Sequence, residues 1–353
     1  MKALILSGGK GTRLRPITHT NAKQLVPIAN KPILFYGLEA IRETGITEVG
    51  IIVGDTKEEI KKAVGDGSLW GLRVTYIEQE APFGLAHAVK IAEDYLFPDD
   101  FVMYLGDNLI KDGIKPFVDE FQKTKPNAQI LLAPVPHPQQ FGVALLKEGK
   151  VFSLEEKPKE PKSNLALVGV YMFDKNIFSA VKAIKPSWRN ELEITDAIQY
   201  LIDRKFTVTP HTITGWWKDT GKLEDLLEAN RIILDTIKGS IQGEVDDHSR
   251  LEGNKIIVEK GAQIVNSTIR GPAIIGKNAK ILNSYIGPFT SVYFDTTIEK
   301  SEVEHSIILE NSRISEIRRI EDSLVGQNVE IIRSFKRPAA YRMMLGDSSK
   351  VEV

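Results

Sequence analysis

Leu6-Ser7-Gly8-Gly9-Lys10-Gly11-Thr12-Arg13-Leu14-Arg15-Pro16 is the stretch on which the reading of this chain turns. The apolar run of residues 3–6 leads into it and predicts a buried strand. Glycines at 8, 9 and 11 strip side chains from the turn that follows, so backbone N–H groups can approach an anion closely. Thr12 adds a hydroxyl donor, and Arg13 adds a fixed charge on a planar fork suited to phosphate oxygens. Lys23, ten residues on in Asn21-Ala22-Lys23-Gln24-Leu25-Val26-Pro27, supplies a second cation. The loop has neither the Walker A spacing nor the third glycine of the dinucleotide fingerprint. A polyphosphate is the anion that suits this cluster; without its two cations the stretch would read as a plain strand-to-helix turn.

Outward from the loop, strand and helix patterns alternate to about residue 235. Residues 32–45 predict a helix with Pro near its start and Gly after its end. Residues 49–53, 74–79 and 101–105 predict strands, and residues 57–64 a short helix. Residues 84–96 carry Leu85, Ala88, Val89, Ala92 and Leu96 at helical spacing and predict one helix. Such alternation argues for an α/β unit with a mixed, mostly parallel sheet, whose ligands sit beyond the carboxyl ends of the strands. Asp107, in Gly106-Asp107-Asn108 after the strand of residues 101–105, stands at one such end. A carboxylate there suits Mg²⁺. Residues 130–175 predict antiparallel strands, and within them Glu155-Glu156-Lys157-Pro158 sets an acceptor for hydroxyls beside a cation for a phosphate. Adjacent strand residues face opposite ways; Pro158 suggests a distortion that the sequence does not establish, and charge patterning alone favours an exposed Glu–Lys strand edge. Thr195 and Asp196 predict a helix cap before residues 197–202. Gly215-Trp216-Trp217-Lys218-Asp219-Thr220-Gly221 sets an acid beside two tryptophans; Asp219 there can cap a helix over residues 222–237 and still serve as a second metal ligand.

Beyond residue 239 the pattern changes. Asn266-Ser267-Thr268-Ile269 returns as Asn283-Ser284-Tyr285-Ile286 seventeen residues later, and Ser301-Glu302-Val303 follows after seventeen more. A period of seventeen or eighteen is one three-sided coil of a β-helix, with a β-sandwich as the alternative. The domains are therefore expected at 1–239 and 240–353. His248 and His305 are isolated and read as structural or solvated, so assembly and stability are the roles expected of the second domain.

Bulk composition narrows the function classes. The chain has 353 residues, 46 basic against 47 acidic, and no cysteine. Near-neutral charge gives no reason for a nucleic-acid or membrane partner. Absence of cysteine removes disulfides, zinc thiolates and thiol catalysis. No run is long enough to span a bilayer, and residues 1–2 lead straight into a strand, which implies a cytoplasmic location.

Gly-Gly-x-Gly-Thr-Arg-Leu-x-Pro followed by Lys-Gln-Leu-x-Pro resembles the signature of sugar-1-phosphate nucleotidylyltransferases. Leu-Gly-Asp-Asn at 105–108, Glu-Glu-Lys-Pro at 155–158, Glu-Leu-Glu-Ile-Thr-Asp at 191–196 and the tail Arg337-Pro338-Ala339-Ala340-Tyr341-Arg342 resemble the glucose-1-phosphate thymidylyltransferases, in the long form. That resemblance implies a Rossmann-like nucleotidyltransferase domain followed by a left-handed parallel β-helix. It implies dTTP and glucose 1-phosphate as substrates, Mg²⁺ as cofactor and a homo-oligomer. Leu6, Gly8, Gly9, Gly11, Thr12, Arg13, Gln24, Gln79 and Gly84 become nucleotide-binding residues, with Gln79 reading the pyrimidine edge. Asn108, Gly142, Glu156, Lys157, Leu167 and Trp217 become the sugar-phosphate site, with Glu193 and Thr195 at its border. Asp107 and Asp219 become metal ligands, and Arg13, Lys23 and Lys157 the catalytic cations. Val168 stands where shorter relatives have Thr, and Phe83 where many have Asp. UTP or another hexose phosphate as substrate, and a sensor that binds without turnover, are the rival readings.

Overall fold

Period-two alternation along β1 (Lys2–Leu6) organises the first half of the protein. Ala3 and Ile5 are buried on one side of it, Leu4 and Leu6 on the other. The computed structural model describes residues 1–9, 11, 14–19, 22–335, 343 and 349–351. Contacts divide the chain into two compact units: residues 1–10, 21–25 and 33–219, and residues 11–20, 26–32 and 220–353.

In the first unit β1 is followed by β2 (Glu48–Val53), β3 (Arg73–Glu78) and β4 (Phe101–Leu105), paired in parallel in the order β3-β2-β1-β4. The crossovers are α1 (Ile33–Glu43), α2 (Lys57–Val64), and α3 (Leu85–Ile91) with α4 (Glu93–Leu96). Leu34, Leu38 and Ile41 of α1 and Ile60 of α2 cover the Ala3/Ile5 face, while Ala86 and Val89 of α3 and Leu96 cover the Leu4/Leu6 face. Both faces are thus covered, as continuous apolar parallel strands require. Strand order runs outward from β1 to β3 and then returns to β4 on the other side. That reversal opens a crevice beyond the carboxyl ends of β1 and β4. Gly106 donates its N–H to Leu6 O at 3.0 Å, so the glycine turn and Asp107 leave the sheet side by side.

The remaining elements of this unit are β5 (Asn108–Ile110), α5 (Lys115–Thr124), β6 (Ala128–Pro134), β7 (Gly142–Lys147), β8 (Lys150–Glu156), β9 (Leu165–Phe173), α6 (Ile177–Ala183), α7 (Ile194–Asp203), β10 (Val208–Thr212) and β11 (Trp217–Asp219). β9 joins the sheet antiparallel to β4, β6 and β7, and β8 pairs antiparallel with β7. With β10 parallel to β6 the sheet has nine strands, mixed as expected. β11 pairs antiparallel with β5, placing Asp219 opposite Asn108.

Three local expectations are corrected. Residues 84–96 do not form one helix: α3 and α4 are separated at Ala92, which leaves helical geometry at φ −88° and ψ 3°. Thr195 and Asp196 are not caps. α7 begins at Ile194 with Glu193 before it, because Ile194 is itself a buried core residue. Asp219 is not the cap of the next helix either; it lies in β11, and α8 (Leu223–Leu234) starts after Lys222.

In the second unit, three parallel sheets of six, six and four strands stack along the chain, beginning with Ser240–Ile241. Val258, Ile275, Val292, Ile308 and Val325 are register partners in one sheet, and Ile264, Ile281, Ile298, Ile314 and Ile331 in the next. These columns fill the interior of a three-sided parallel β-helix, consistent with the expected left-handed form. The seventeen-residue Asn-Ser repeat lies at a corner. Asn266, Asn283 and Lys300 take φ of 44°, 49° and 46°, where asparagine is tolerated best. The serines that follow bridge coils: Ser284 N–H donates to Ser267 Oγ at 3.0 Å, and Ser301 N–H to Ser284 Oγ at 3.1 Å. α8 belongs to this unit. Its buried Asn230 accepts from Ala29 N–H and the Ser291 hydroxyl and donates to Phe289 O.

Candidate active site

Lys23, in a 3-10 turn at Lys23–Leu25, is only 7% exposed. Its ammonium hydrogen-bonds Asp107 Oδ2 and lies 3.9 Å from Asp219 Oδ1. A buried ammonium needs counter-charge, and two carboxylates provide it. The backbone accounts for both. Asp107 follows Gly106 off the end of β4, and the β5/β11 ladder brings Asp219 opposite its neighbour Asn108. Burial alone would raise the Asp107 carboxyl. The Lys23 charge and hydrogen bonds from Lys23 and Asn108 override it and hold the group below the usual carboxylate range. The two acids expected as metal ligands thus meet at one cation.

A second group lies at the glycine turn. Gln79 leaves β3 with its side-chain Oε1 3.4 Å from where a Cβ on Gly8 would stand. Its Nε2 is 3.2 Å from Gly84 O and 3.1 Å from His87 Nδ1. Gly84 has φ of 101°, and a Cβ there would come within 2.4 Å of Leu192 O, so only glycine fits. Gln24 is buried, with Nε2 3.8 Å from a Cβ on Gly9, and its Oε1 has no partner among the described residues; the same is true of buried Ser7 Oγ. Buried polar atoms without a protein partner beside a glycine turn suit the polar groups of a ligand. Gly11 has φ of 61° and belongs by contacts to the second unit. Thr12 and Arg13 lie outside the described residues, as does the tail motif 337–342.

A third group surrounds Glu156. A Cβ on Gly142 would lie 2.7 Å from Thr195, 3.0 Å from Glu156 Oε2 and 3.2 Å from Leu167. These four residues therefore share one site. The distortion expected before Pro158 is present: β8 ends at Glu156, and Lys157 turns to φ 43° with its N–H on Phe141 O at 3.0 Å. Burial first, and the Glu193 carboxylate second, push Glu156 up to about 7, against the pull of Lys157 and Arg189. Asn108 links this group to the ionic one. Its Nδ2 donates to Asp107 Oδ1 at 2.8 Å, and its Oδ1 accepts from Trp217 Nε1 at 2.5 Å. Trp217 in turn meets the Phe141 ring edge-on at 5.4 Å between centroids. Val168 packs in the core on the opposite sheet face from Leu167.

A family model described as nucleotidyl transferase matches residues 2–236. Glucose-1-phosphate thymidylyltransferases of Streptomyces griseus and Streptomyces antibioticus are 55% and 57% identical to this chain over all of its length and 99% of theirs. The chain belongs to the nucleotidyl transferase family, with the glucose-1-phosphate thymidylyltransferases. A solved Bacillus anthracis protein assigned as a glucose-1-phosphate thymidylyltransferase, in complex with sucrose, is 38% identical, with a TM-score of 0.64 over 68% of this chain and 98% of that one.

In this nucleotidyl transferase two residues escaped the sequence reading, Arg189 beside Glu156 and His87 beside Gln79. Arg189 forms ion pairs with Glu191 at 2.8 Å, Glu193 at 3.3 Å and Glu156 at 3.5 Å. Its signal was a lone cation ahead of three acids in residues 190–196. His87 gave no signal, because its partner Gln79 lies across a loop whose closure only the fold supplies. No helix among the described residues is long and apolar enough to cross a membrane.

Proposed function

We propose that this nucleotidyl transferase moves the thymidylyl group of dTTP to α-D-glucose 1-phosphate, yielding dTDP-glucose and pyrophosphate. The observation that carries the reading is the Lys23 ammonium held by Asp107 and Asp219, with Asn108 joining that cluster to the Glu156 pocket. One compact unit thereby holds groups for a triphosphate and groups for a hexose phosphate. The names of the two Streptomyces relatives support the choice of base and sugar.

In the reaction a phosphate oxygen of the sugar attacks the α-phosphorus in line. The new P–O bond forms as the bond to the bridging oxygen of the β-phosphate breaks, and pyrophosphate carries away the charge. The attacking oxygen is already anionic, so no protein base or nucleophile is needed, and catalysis is positioning plus neutralisation of charge. Lys23 holds phosphate oxygens at the reacting centre. Lys157 holds the attacking phosphate, while Glu156, the Gly142 backbone and Leu167 seat the hexose and Trp217 walls it. Gly8 and Gly9 line the triphosphate, while Gly11, Thr12 and Arg13 are assigned to it by their motif alone, Arg13 to the β- and γ-phosphates and the leaving pyrophosphate. Leu6, Gln24, Gln79 and Gly84 take the nucleoside.

Asp107 and Asp219 fit Mg²⁺: two hard carboxylate oxygens already converge on a cation, and one is held ionised. When bound there, Mg²⁺ supplies further neutralisation of the triphosphate. The same reading locates the enzyme in the cytoplasm with its nucleotide supply and gives the coil faces to homo-oligomer assembly.

Pyrophosphate release across a panel of nucleoside triphosphates and sugar phosphates tests this function. The highest kcat/KM is expected for dTTP with glucose 1-phosphate. Preference for UTP or for another hexose phosphate would replace that substrate pair. Tight binding with no pyrophosphate from any pair would make the protein a sensor.

A further inference from the structure

The Gln79 amide is fixed from both sides. Gly84 O can only accept, so the amide atom 3.2 Å from it is the nitrogen. That same nitrogen lies 3.1 Å from His87 Nδ1, on the first turn of α3. An amide nitrogen offers two hydrogens and accepts none, so Nδ1 must be the unprotonated ring nitrogen, with the proton on Nε2. Both Gln79 hydrogens are then used within the protein. Its only remaining capacity is that of Oε1, which faces the Gly8 turn.

We propose that His87 is a positioning residue for the nucleobase: by accepting from Gln79 Nε2 it locks the amide with its oxygen toward the ligand, so that the site accepts a hydrogen bond from the ring N–H of a pyrimidine imide. This rests on the reading that Gln79 meets the base. The imide N3–H of thymine or uracil is such a donor, whereas the N3 of cytosine is an acceptor. Burial keeps the His87 ring neutral, and Lys90 on the same helix reinforces it, while Glu80 opposes both; the Phe83 ring packs edge-on at 5.2 Å. Protonation would place an Nδ1–H against the amide nitrogen. The amide can escape only by reversing, which takes the donor from Gly84 O and turns hydrogens toward the imide.

The test measures KM for dTTP from pH 5 to 8 in the wild-type enzyme and in His87→Leu, His87→Asn and Gln79→Leu, with KM for glucose 1-phosphate alongside. His87→Leu should raise KM for dTTP about 3- to 10-fold, the worth of one hydrogen bond, and move the sugar phosphate value less. Asn can present a carbonyl oxygen near the place of Nδ1. His87→Asn should therefore keep KM at pH 8 within about twofold of wild type and lose the part of the acid-side rise that protonation of His87 adds. Ionisation of dTTP itself is common to all variants, so the difference between the profiles isolates His87. An unchanged KM in His87→Leu, or an acid rise as large in His87→Asn as in wild type, overturns the proposal. If Gln79→Leu raises KM while His87→Leu does not, the base site stands and the positioning role falls. If Gln79→Leu also leaves KM unchanged, both fall.

Discussion

Asp107 accepts a hydrogen bond from the buried ammonium of Lys23, and that pair marks the point where β1 and β4 part. Lys23→Met leaves Asp107 enclosed without this cation, so its carboxyl should follow burial and move upward. Turnover should fall about 10²- to 10³-fold, the range for loss of one preorganised charge at a reacting centre. The sign in stability follows. A carboxyl depressed in the folded state contributes stability that is present above its ordinary value and lost as pH falls through the depressed one. Lys23→Met should lose that contribution at neutral pH, read as a lower melting midpoint at pH 7 and a smaller difference from wild type near pH 3.

Glu156 gives the opposite sign. Its folded value, about 7, lies above that of a free carboxyl. It therefore contributes stability with its proton on, fully present below the ordinary carboxylate range and lost as pH rises through about 7. The ionised form is the better acceptor for hexose hydroxyls. KM for glucose 1-phosphate should fall as pH rises through this range. Glu193→Gln removes the neighbouring like charge and should shift the inflection to lower pH. The substrate's own phosphate ionises identically with both enzymes, so an inflection that stays put would belong to the substrate.

Lys157→Ala should raise KM for glucose 1-phosphate about tenfold and leave KM for dTTP nearly unchanged. The left-handed turn at Lys157 frees it from strand alternation, so its ammonium can serve the same ligand as Glu156. Steady-state kinetics with each substrate varied in turn decides this. An effect confined to dTTP would give Lys157 to the nucleotide.

In the β-helix, Ser284→Ala removes the acceptor of Ser301 N–H and the donor to Leu282 O. Leaving a buried backbone N–H unmatched should cost about 1–3 kcal/mol, seen as a lower unfolding midpoint of the second unit. Lys300→Asn, at the corner where the repeat lacks its asparagine, should leave stability equal or slightly higher. Equal stability of Ser284→Ala and wild type would show that the ladder contributes nothing net.

Much of this was legible because it depends on local pattern. Alternation fixed the parallel core, and the recurrence of Asn-Ser every seventeen residues gave the coil before the corner geometry explained why those residues recur. Asp107 was recognisable as a strand-end acid and Glu156-Lys157 as an acceptor beside a cation. What was not legible depends on closure in space. Ile194 is held in the core, which starts α7 one residue before the expected cap and turns Thr195 toward Glu156. Asp219 read as a metal ligand that could also cap the next helix, and only the β5/β11 ladder sets it opposite Asn108. His87 and Arg189 acquire meaning only from partners on other loops.

Pyrophosphate release from dTTP and glucose 1-phosphate, measured across Mg²⁺ concentration in wild type, Asp107→Asn and Asp219→Asn, tests the central claim most directly. Circular dichroism first establishes that each variant keeps the wild-type fold. The account predicts that wild-type turnover requires Mg²⁺ and that each variant loses most of it, about 10²-fold or more at low Mg²⁺. Near wild-type turnover at low Mg²⁺ in either variant would remove that carboxylate from the metal site and contradict the account.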